Sequence, residues 1–182
     1  MKRKTAKEIL AASFQEIAQR KNIDKITIQE IVDNCGYSPA TFYRNFRDKY
    51  DLIAWDHTRA VAEIVDRTGE EDYVWKQTLY DGARLYSENK EYLANLLKHT
   101  SGHESFRRYM SEINCSALEK YILSVNGGRA LTHEEMMFVK IYCHGIVGLA
   151  CEWILGEIDS TIEEVAEVYE QSIPEPLKKY LL

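Results

Sequence analysis

The stretch of residues 27–52, TIQEIVDNCGYSPATFYRNFRDKYDL, contains the local signals that decide the fold. Thr27 and Glu30 have the T-x-x-E spacing of a capping box, so a short helix should begin directly after Thr27. Gly36 follows the last apolar position of this helix, where a left-handed backbone costs little only for glycine. The first half of the stretch therefore predicts a helix that ends in a glycine turn.

The second half of the stretch predicts another helix. Ser38 can cap its N-terminus, and Pro39 can occupy its first position, where the missing N–H costs nothing. Phe42 and Phe46 are four residues apart, so they share a face and should pack into the core. Two helices joined by a glycine turn within about 20 residues form a helix-turn-helix, whose second helix enters the major groove of DNA.

The second helix also carries polar groups on its other faces. The side chains of Thr41, Tyr43, Arg44 and Asn45 can hydrogen-bond to phosphates or to base edges. A solvated helix face that happens to contain one arginine would show the same residues, and such turns recur in proteins that do not bind DNA. On the pattern alone, DNA binding and a solvated face are about equally good interpretations.

A wider match favours DNA binding. The run GYSPATFYRNF at residues 36–46, followed by Lys49 and Leu52, resembles the signature of TetR-type transcriptional regulators. The resemblance implies a three-helix DNA-binding head on an all-helical body that binds ligands and dimerises. Two positions depart from the family pattern, since Pro39 stands where a lysine is common and Val32 where an alanine is usual.

The resemblance also implies a role for individual contact residues. Thr27 and Tyr43 would contact phosphates, whereas Thr41 and Arg44 would face the bases. Lys49 would hold the DNA backbone. With the remaining polar and capping residues of the second helix added, the predicted DNA-binding residues are Thr27, Ser38, Pro39, Thr41, Tyr43, Arg44, Asn45 and Lys49.

The charge of the chain is divided unevenly along its length. Residues 1–50 hold ten Lys or Arg against six Asp or Glu, which gives +4, whereas residues 51–182 hold thirteen against twenty-three, which gives −10. This pattern fits a DNA-binding domain at 1–50 and an effector-binding and dimerisation domain at 51–182, with the acidic part turned away from the phosphates. The basic cluster at positions 2–4 and Lys7 is either a solubilising terminus or an arm that touches DNA.

Composition argues against several other classes of protein. Apolar residues make up 45% of the 182, which argues against disorder. Cys35, Cys115, Cys143 and Cys151 show no C-x-x-C pair and no histidine at zinc-finger spacing, so we expect reduced thiols in a cytoplasmic protein, without a metal or cofactor. No signal peptide and no uninterrupted apolar run of about 18 residues is visible, so we expect no membrane partner.

Helical periodicity continues beyond the helix-turn-helix, and no alternating β pattern appears. We therefore predict an all-α fold, in which a connector helix from residue 48 leaves the head and enters the body. The predicted helices outside the helix-turn-helix span residues 5–21, 48–67, 73–88, 90–100, 104–125, 132–156 and 161–172, and a short turn or helix precedes Leu182.

The helix at 132–156 is apolar over a wide arc, so it should be buried against several partners. Its sequence HGIVGLACEW at 144–153, with TIEEVA at 161–166, resembles the C-terminal part of a TetR branch that includes regulators of the dihydroxyacetone-kinase type. In the family, the last two long helices pair with those of a second subunit as a four-helix bundle. The resemblance thus implies a homodimer whose interface includes Gly145, Gly148, Leu149, Trp153 and Val165.

Residues 73–110 are rich in aromatic side chains with polar tips. They could line an effector pocket between helices, although aromatics at helical spacing also pack as ordinary core. His99 and His103 are four residues apart, but no carboxylate or thiol completes a metal site. The predicted effector-pocket residues are Tyr80, Tyr86, His99, His103, Phe106, Tyr109 and Tyr142.

These features predict a homodimeric transcriptional regulator that binds a palindromic operator in double-stranded DNA. We expect it to respond to an unknown small-molecule effector, with repression as the favoured outcome. The alternative is a co-activator or interaction protein that acts on a protein partner through its helical body. We expect no catalytic residues, because the chain has no G-x-S-x-G, no phosphate-binding glycine loop and no H-E-x-x-H.

Overall fold

The computed structural model describes residues 4–68, 73–101 and 105–182. Over these residues the chain forms ten α-helices and a 3₁₀ turn, Ile23–Lys25, with no β-strand. The all-α prediction is confirmed. The helices are α1 (Ala6–Ala18), α2 (Ile28–Cys35), α3 (Pro39–Asn45), α4 (Lys49–Val65), α5 (Trp75–Glu88), α6 (Lys90–His99), α7 (Phe106–Val125), α8 (His133–Leu155), α9 (Ile162–Gln171) and α10 (Glu175–Leu181).

Four of the described helices begin at a T-x-x-E capping box. In each box the threonine oxygen accepts from the N–H of the glutamate, and the glutamate side chain accepts from the threonine N–H. The box satisfies N–H groups that a helix N-terminus otherwise leaves without a partner, so these starts are encoded locally. The four boxes are Thr5/Glu8, Thr27/Glu30, Thr132/Glu135 and Thr161/Glu164.

α1, α2, α3 and the first turns of α4 form the head of the molecule. Their apolar faces meet in a core whose side chains are inaccessible to solvent, including Leu10, Phe14, Ile31, Phe42 and Leu52. Burying such a side chain stabilises the fold by about 1.5–3 kcal/mol relative to exposing it. The head is therefore held together mainly by apolar contacts between short helices.

α1 ends at Ala18, earlier than the predicted end at residue 21. At this point Asn95 of α6 binds the backbone of the head. Its Nδ2 donates to the carbonyls of Ala18, at 2.7 Å, and Lys21, at 2.9 Å, and its Oδ1 accepts from the N–H of Ile23 at 3.2 Å. The chain then continues as the 3₁₀ turn, in which Ile23 is fully buried.

α4 connects the head to the body. It packs against α1 in the head and against α5 and α7 in the body. Within the body, α8 lies against α5, α6, α7 and α10, and α9 packs on α5. The side chains at these contacts are almost completely buried, as Leu96, Met110, Ile122, Val139 and Ala150 illustrate. The body is thus a helical bundle with α8 near its centre.

α8 is, among the described residues, the one helix long and apolar enough to cross a membrane by length and composition, with a mean hydropathy of 1.4 over 18 residues. The sequence contains no uninterrupted apolar run here, because Lys140 and Glu152 fall within the helix. A core helix of a soluble protein passes the same test, and α8 packs against four other helices of the chain. The finding is therefore weak evidence for a membrane span.

A buried carboxylate pins the C-terminal helix to the start of α8. Glu135, 7% exposed, accepts from the N–H of Thr132, from Arg129, from Lys179 at 3.0 Å and from the hydroxyl of Tyr180 at 2.8 Å. These hydrogen bonds, led by that of the Thr132 backbone, hold the pKa of Glu135 well below its ordinary value. The charged carboxylate is therefore favoured by folding.

We predict that the Glu135→Gln variant is less stable than the wild type at pH 7 by about 1.5–3 kcal/mol, the range for hydrogen bonds to charged groups. The pKa of Glu135 is lower in the folded than in the unfolded chain, so its contribution is present above pH 4.5 and is lost as the pH falls below that value. The stability gap between the two proteins should therefore narrow in acid. Urea unfolding at pH 7 and pH 3 measures this difference in unfolding free energy, and the exposed Glu134→Gln is the control. A difference that does not change with pH would contradict the stabilising role of the charged Glu135.

Candidate nucleic-acid interface and effector cavities

The N-terminal cap of α2 forms as the sequence predicts. The N–H of Thr27 donates to Glu30 at 2.9 Å, and the N–H of Glu30 donates to the Thr27 hydroxyl at 3.3 Å. A hydrogen bond from Lys21, followed by those of Thr27, lowers the pKa of Glu30 to about 2. At the other end of α2, Gly36 has φ of 71°, the left-handed conformation that closes the helix before the turn.

The start and the buried face of α3 also match the prediction. The hydroxyl of Ser38 accepts from the N–H of Thr41 at 3.2 Å, and Pro39 occupies the first helical position. Phe42 is completely buried and Phe46 is 3% exposed, with 5.8 Å between their ring centroids. The aromatic face of α3 therefore fixes which side of the helix can point outward.

The outward side of α3 carries Tyr43, 60% exposed, and Arg44, which is also exposed. Arg44 uses its Nε to bind the carbonyl of Ala40 at 3.3 Å. Asn45 donates from its amide to the carbonyl of Thr41 at 2.8 Å, so this nitrogen is engaged within the helix. Among the predicted base readers, Arg44 offers the most hydrogen-bond donors, because its planar guanidinium carries several of them.

Lys49 is tied to the protein backbone. Its ammonium group donates to the carbonyls of Ile23 at 2.8 Å, Asp24 at 2.9 Å and Ile26 at 3.0 Å. A lysine ammonium has three N–H donors, and these three contacts can use all of them. Lys49 therefore fastens the start of α4 to the 3₁₀ turn, while its contact with the DNA backbone stays a prediction.

The N-terminal cluster of basic residues is described only in part. Lys7 places its ammonium 5.2 Å from the ring centroid of Phe46 and 5.5 Å from that of Trp55. These distances are in the range of cation–π contacts, so Lys7 lies against the aromatic side of the head. Lys4 is exposed, cluster positions 2 and 3 lie outside the described residues, and a DNA-binding arm stays a prediction.

Two cavities beside α4 contain predicted effector-pocket residues. The body cavity, of about 70 Å³, is lined by parts of α4, α5, α7, α8 and α9. The junction cavity, of about 220 Å³ by the same measure, lies between α1, α4, α5, α6 and α7. Tyr86 lines both cavities, so its ring forms part of the wall between them.

The predicted effector-pocket residues do not form a single site. Tyr142 lines the body cavity and Phe106 the junction cavity, whereas Tyr80, His99 and Tyr109 line neither. Tyr80 instead donates to Glu163 of α9 at 3.3 Å, and His99 lies 3.7 Å from Asp24 of the head. These three assignments stay predictions, and the structure brings none of the three residues to either cavity, because helical spacing does not reveal which neighbour a face meets. His103 lies outside the described residues.

Two aromatic residues of the body cavity were missed by the sequence prediction. Trp75 starts α5 and Tyr169 lies on α9, and both are at least nine-tenths buried. Tyr169 follows Val165 by four residues, so its place on the buried stripe of α9 was readable from the sequence. That this stripe faces a cavity was not readable, because it depends on how α9 packs on α5.

Two protein-family models match the chain. The model described as "Bacterial regulatory proteins, tetR family" matches residues 9–54, which contain the helix-turn-helix. The model described as "Transcriptional regulator C-terminal region", TetR_C_8, matches residues 74–175, more than half of the chain. The protein belongs to the TetR family. As a TetR-family transcriptional regulator it is a DNA-binding protein and not an enzyme.

Solved structures share the fold of this TetR-family regulator at low sequence identity. The "Dihydroxyacetone kinase operon activator DhaS" is 17% identical, with a TM-score of 0.70 over 97% of this chain and 98% of that one. TetR regulators from Rhodococcus sp. RHA1 and Streptococcus agalactiae 2603V are 13% and 16% identical, with TM-scores of 0.64 and 0.61. They cover 94% and 93% of this chain and 96% and 94% of their own. No curated protein sequence matches the chain.

The predicted dimer residues of this TetR-family regulator divide into two groups. Gly145 is exposed and Leu149 is half-buried, so both can face a second subunit. Trp153 and Val165 are 5% and 3% exposed, and the Trp153 indole donates to the carbonyl of Ser160 at 2.8 Å. The side chains of these two residues pack in the core of their own chain, so their contact with a second subunit stays a prediction.

The space beside Gly148 is filled within the same chain. The guanidinium of Arg107 lies 3.4 Å from the position that a Cβ at residue 148 would occupy. A side chain of α7 thus lies beside Gly148, and a methyl group at this position would be close to ordinary van der Waals contact with the flexible end of Arg107. The apolar groups that do remain exposed on α8 and α9 are Met137, Ile141 and Val168, at 47%, 67% and 46%.

We predict that Lys49→Ala lowers the free energy of unfolding by about 1–3 kcal/mol, because it leaves carbonyls of the 3₁₀ turn without their donor. Lys25→Ala, which removes an exposed cation from the same turn, should leave stability nearly unchanged and is the matched control. Urea denaturation measures both variants. An unchanged unfolding curve for Lys49→Ala, together with weaker DNA binding, would show that the lysine acts on DNA and not on the fold.

Proposed function

We propose that this TetR-family regulator binds a palindromic operator as a homodimer, represses transcription, and loses affinity for DNA when an effector enters its body. The proposal assigns DNA binding to residues 1–50 and effector binding and dimerisation to residues 51–182, in the cytoplasm. The observation that carries it is the outward face of α3, where Tyr43 and Arg44 are exposed opposite the buried Phe42. A helix that exposes polar side chains on one face in this way can enter the major groove of DNA.

The proposed DNA contacts divide by chemistry. Arg44 reads a base edge, because a guanidinium can bind guanine through two parallel hydrogen bonds. Thr41 reads a neighbouring base, while Tyr43 and Thr27 bind phosphates, which position the helix without reading sequence. The remaining contacts that we propose at the same surface are Ser38, Pro39, Asn45 and Lys49. The acidic domain at residues 51–182 supports an approach in which only the head meets DNA.

The proposed dimer uses the exposed apolar strip of α8 and α9. Met137 and Ile141 are four residues apart on α8, so they lie on one face, and Gly145 continues that face by another turn. Val168 adds an exposed apolar side chain on α9. Pairing the strip with its copy about a two-fold axis removes these groups from water and sets two heads on one operator.

The effector response follows from the position of α4. Val61, Ile64 and Val65 in its second half line the body cavity, whereas Lys49 at its first turn is fastened to the head. A ligand that changes the packing around the second half therefore acts on a helix whose other end positions α3. Linkage then requires that effector and operator weaken each other's binding by the same factor.

One finding favours a second candidate function. The chain shares its fold with a protein named as an operon activator, and its exposed apolar strip could bind another protein instead of a second copy. In that case the protein acts as a co-activator through its body. Selection of bound DNA from a random pool with the pure protein separates the two, because a direct repressor enriches a two-fold symmetric sequence and a co-activator that needs its partner enriches none.

We predict that Arg44→Ala weakens binding to the selected operator by about 1–3 kcal/mol and relaxes the base preference at one position of each half-site. Arg44→Lys keeps the charge but loses the paired donors, so it should lose the preference while retaining binding to unrelated DNA. Binding isotherms on operator and scrambled DNA at one salt concentration measure both effects. Equal losses on both DNAs would mean that Arg44 contacts phosphate and not a base.

We predict that Ile141→Lys weakens dimerisation at least about thirtyfold, the cost of a central interface residue contributing about 2 kcal/mol. The change places two like charges near the two-fold axis in an otherwise apolar contact. Val125→Lys, at a comparably exposed apolar residue at the end of α7, is the matched control. Sedimentation equilibrium should show monomer for the first variant alone, and an unaltered dimer in both would place the interface elsewhere.

A further inference from the structure

The lining of the body cavity contains no charged side chain among the described residues. Its walls are formed by apolar and aromatic side chains together with a few neutral polar groups, such as Thr78 and Asn114. None of the described residues that line it is an Asp, Glu, Lys, Arg or His. Transfer of an ionised group into such surroundings is strongly unfavourable, so the cavity selects against charged molecules.

One neutral polar group in this lining has no partner within the protein. The hydroxyl of Tyr169 is buried, the whole residue is 4% exposed, and no described residue lies within hydrogen-bond geometry of it. Burial raises the pKa of Tyr169, so the group stays a neutral hydroxyl. A buried hydroxyl without a partner is a net cost to the folded protein, which native structures rarely keep without a reason.

A second polar group in the lining of the body cavity also lacks a hydrogen-bond partner among the described residues. The indole N–H of Trp75, a residue 5% exposed, approaches the Tyr142 hydroxyl without reaching hydrogen-bond geometry. The Tyr142 hydroxyl itself is satisfied, because it donates to the carbonyl of Tyr169 at 2.8 Å. Two neighbouring tyrosines of the cavity therefore differ in one respect, since the hydroxyl of Tyr142 has a partner and that of Tyr169 has none.

We propose that the body cavity binds an uncharged, largely apolar molecule whose carbonyl or hydroxyl oxygen accepts hydrogen bonds from the Tyr169 hydroxyl and the Trp75 indole. This inference rests on the proposed effector response, since it names the chemical class of the effector. The ligand's apolar part lies against the α4 residues Val61, Ile64 and Val65. Binding thus combines apolar burial, which gives affinity, with two donors that fix orientation.

The junction cavity suits a different chemistry and is not assigned to this ligand. Its lining includes Asp56, Arg59 and Glu63, and Arg59 bridges the two carboxylates at 3.3 Å and 2.7 Å. His57 also lines it, and its Nε2 has no partner among the described residues. A small apolar ketone in this cavity would remove solvent from these charged groups, so it should avoid the cavity.

Three small aromatic probes test the assignment by changing one property at a time. Acetophenone carries a neutral carbonyl, ethylbenzene has a similar shape without an acceptor, and benzoate carries a charge. Titration calorimetry on the full-length protein should rank acetophenone first, about fivefold tighter than ethylbenzene for a net hydrogen-bond contribution, with benzoate weakest. Equal binding of acetophenone and ethylbenzene would overturn the hydrogen-bonding role, benzoate binding as well as acetophenone would overturn the exclusion of charge, and no binding of any probe would overturn the site.

Two matched tyrosine variants locate the hydrogen bond. Tyr169→Phe should abolish the preference for acetophenone over ethylbenzene while leaving the ligand-free protein as stable as wild type or more so, because it removes a hydroxyl without a partner. Tyr142→Phe removes a satisfied hydroxyl from the same cavity, so it should destabilise the free protein and keep the preference. A Tyr169→Phe protein that retains the full preference would overturn the proposal.

The same samples separate this inference from the proposed function. Operator affinity is measured on ligand-free protein, so a failure to bind DNA counts against the regulator function and leaves probe binding to be judged independently. If acetophenone binds with the expected preference but operator affinity does not change, the cavity assignment holds and the proposed effector response is wrong. If operator affinity falls in both proteins, but Tyr169→Phe needs about fivefold more acetophenone than wild type for the same fall, both are supported.

Discussion

The 3₁₀ turn Ile23–Lys25 is the joint on which the arrangement of head and body depends. Asn95 of the body holds the N–H of Ile23 and the carbonyls just before it, while Lys49 at the start of α4 holds three carbonyls of the same segment. The four residues from Ile23 to Ile26 directly precede the capping box at Thr27. The same short piece of backbone therefore sets where α1 stops, where α2 starts and where α4 leaves the head.

α4 carries this constraint into the body. Lys49 binds the first helical turn of α4 to the 3₁₀ turn, and the last helical turns of α4 line the body cavity. The chain then reaches Arg67. There Asp81 of α5, which is buried, accepts from Arg67 at 3.2 Å and from the hydroxyl of Tyr73 at 2.6 Å. α4 is therefore held near both ends, by Lys49 at its first turn and by the contact of Arg67 with Asp81 just beyond its last turn.

His57 and Cys143 stay neutral inside the body. Burial lowers the pKa of His57 to about 4, and a hydrogen bond with Cys115 together with burial raises the pKa of Cys143. The buried carboxylates Asp56, Asp81 and Glu135, the last at the start of α8, are each paired with an arginine or a lysine. The body cavity is consequently an uncharged space next to a connector helix, which is the physical basis for assigning it a neutral ligand.

The sequence by itself determined the helix starts, the glycine turn at Gly36, the buried face of α3 and the all-α fold, because caps and apolar spacing act over three or four residues. Tertiary structure alone decided that Lys49 binds a turn 23–26 residues away, that Trp153 packs inward and that Tyr169 faces a cavity. Each of these depends on a partner distant in the chain, and a local pattern carries no information about which partner that is.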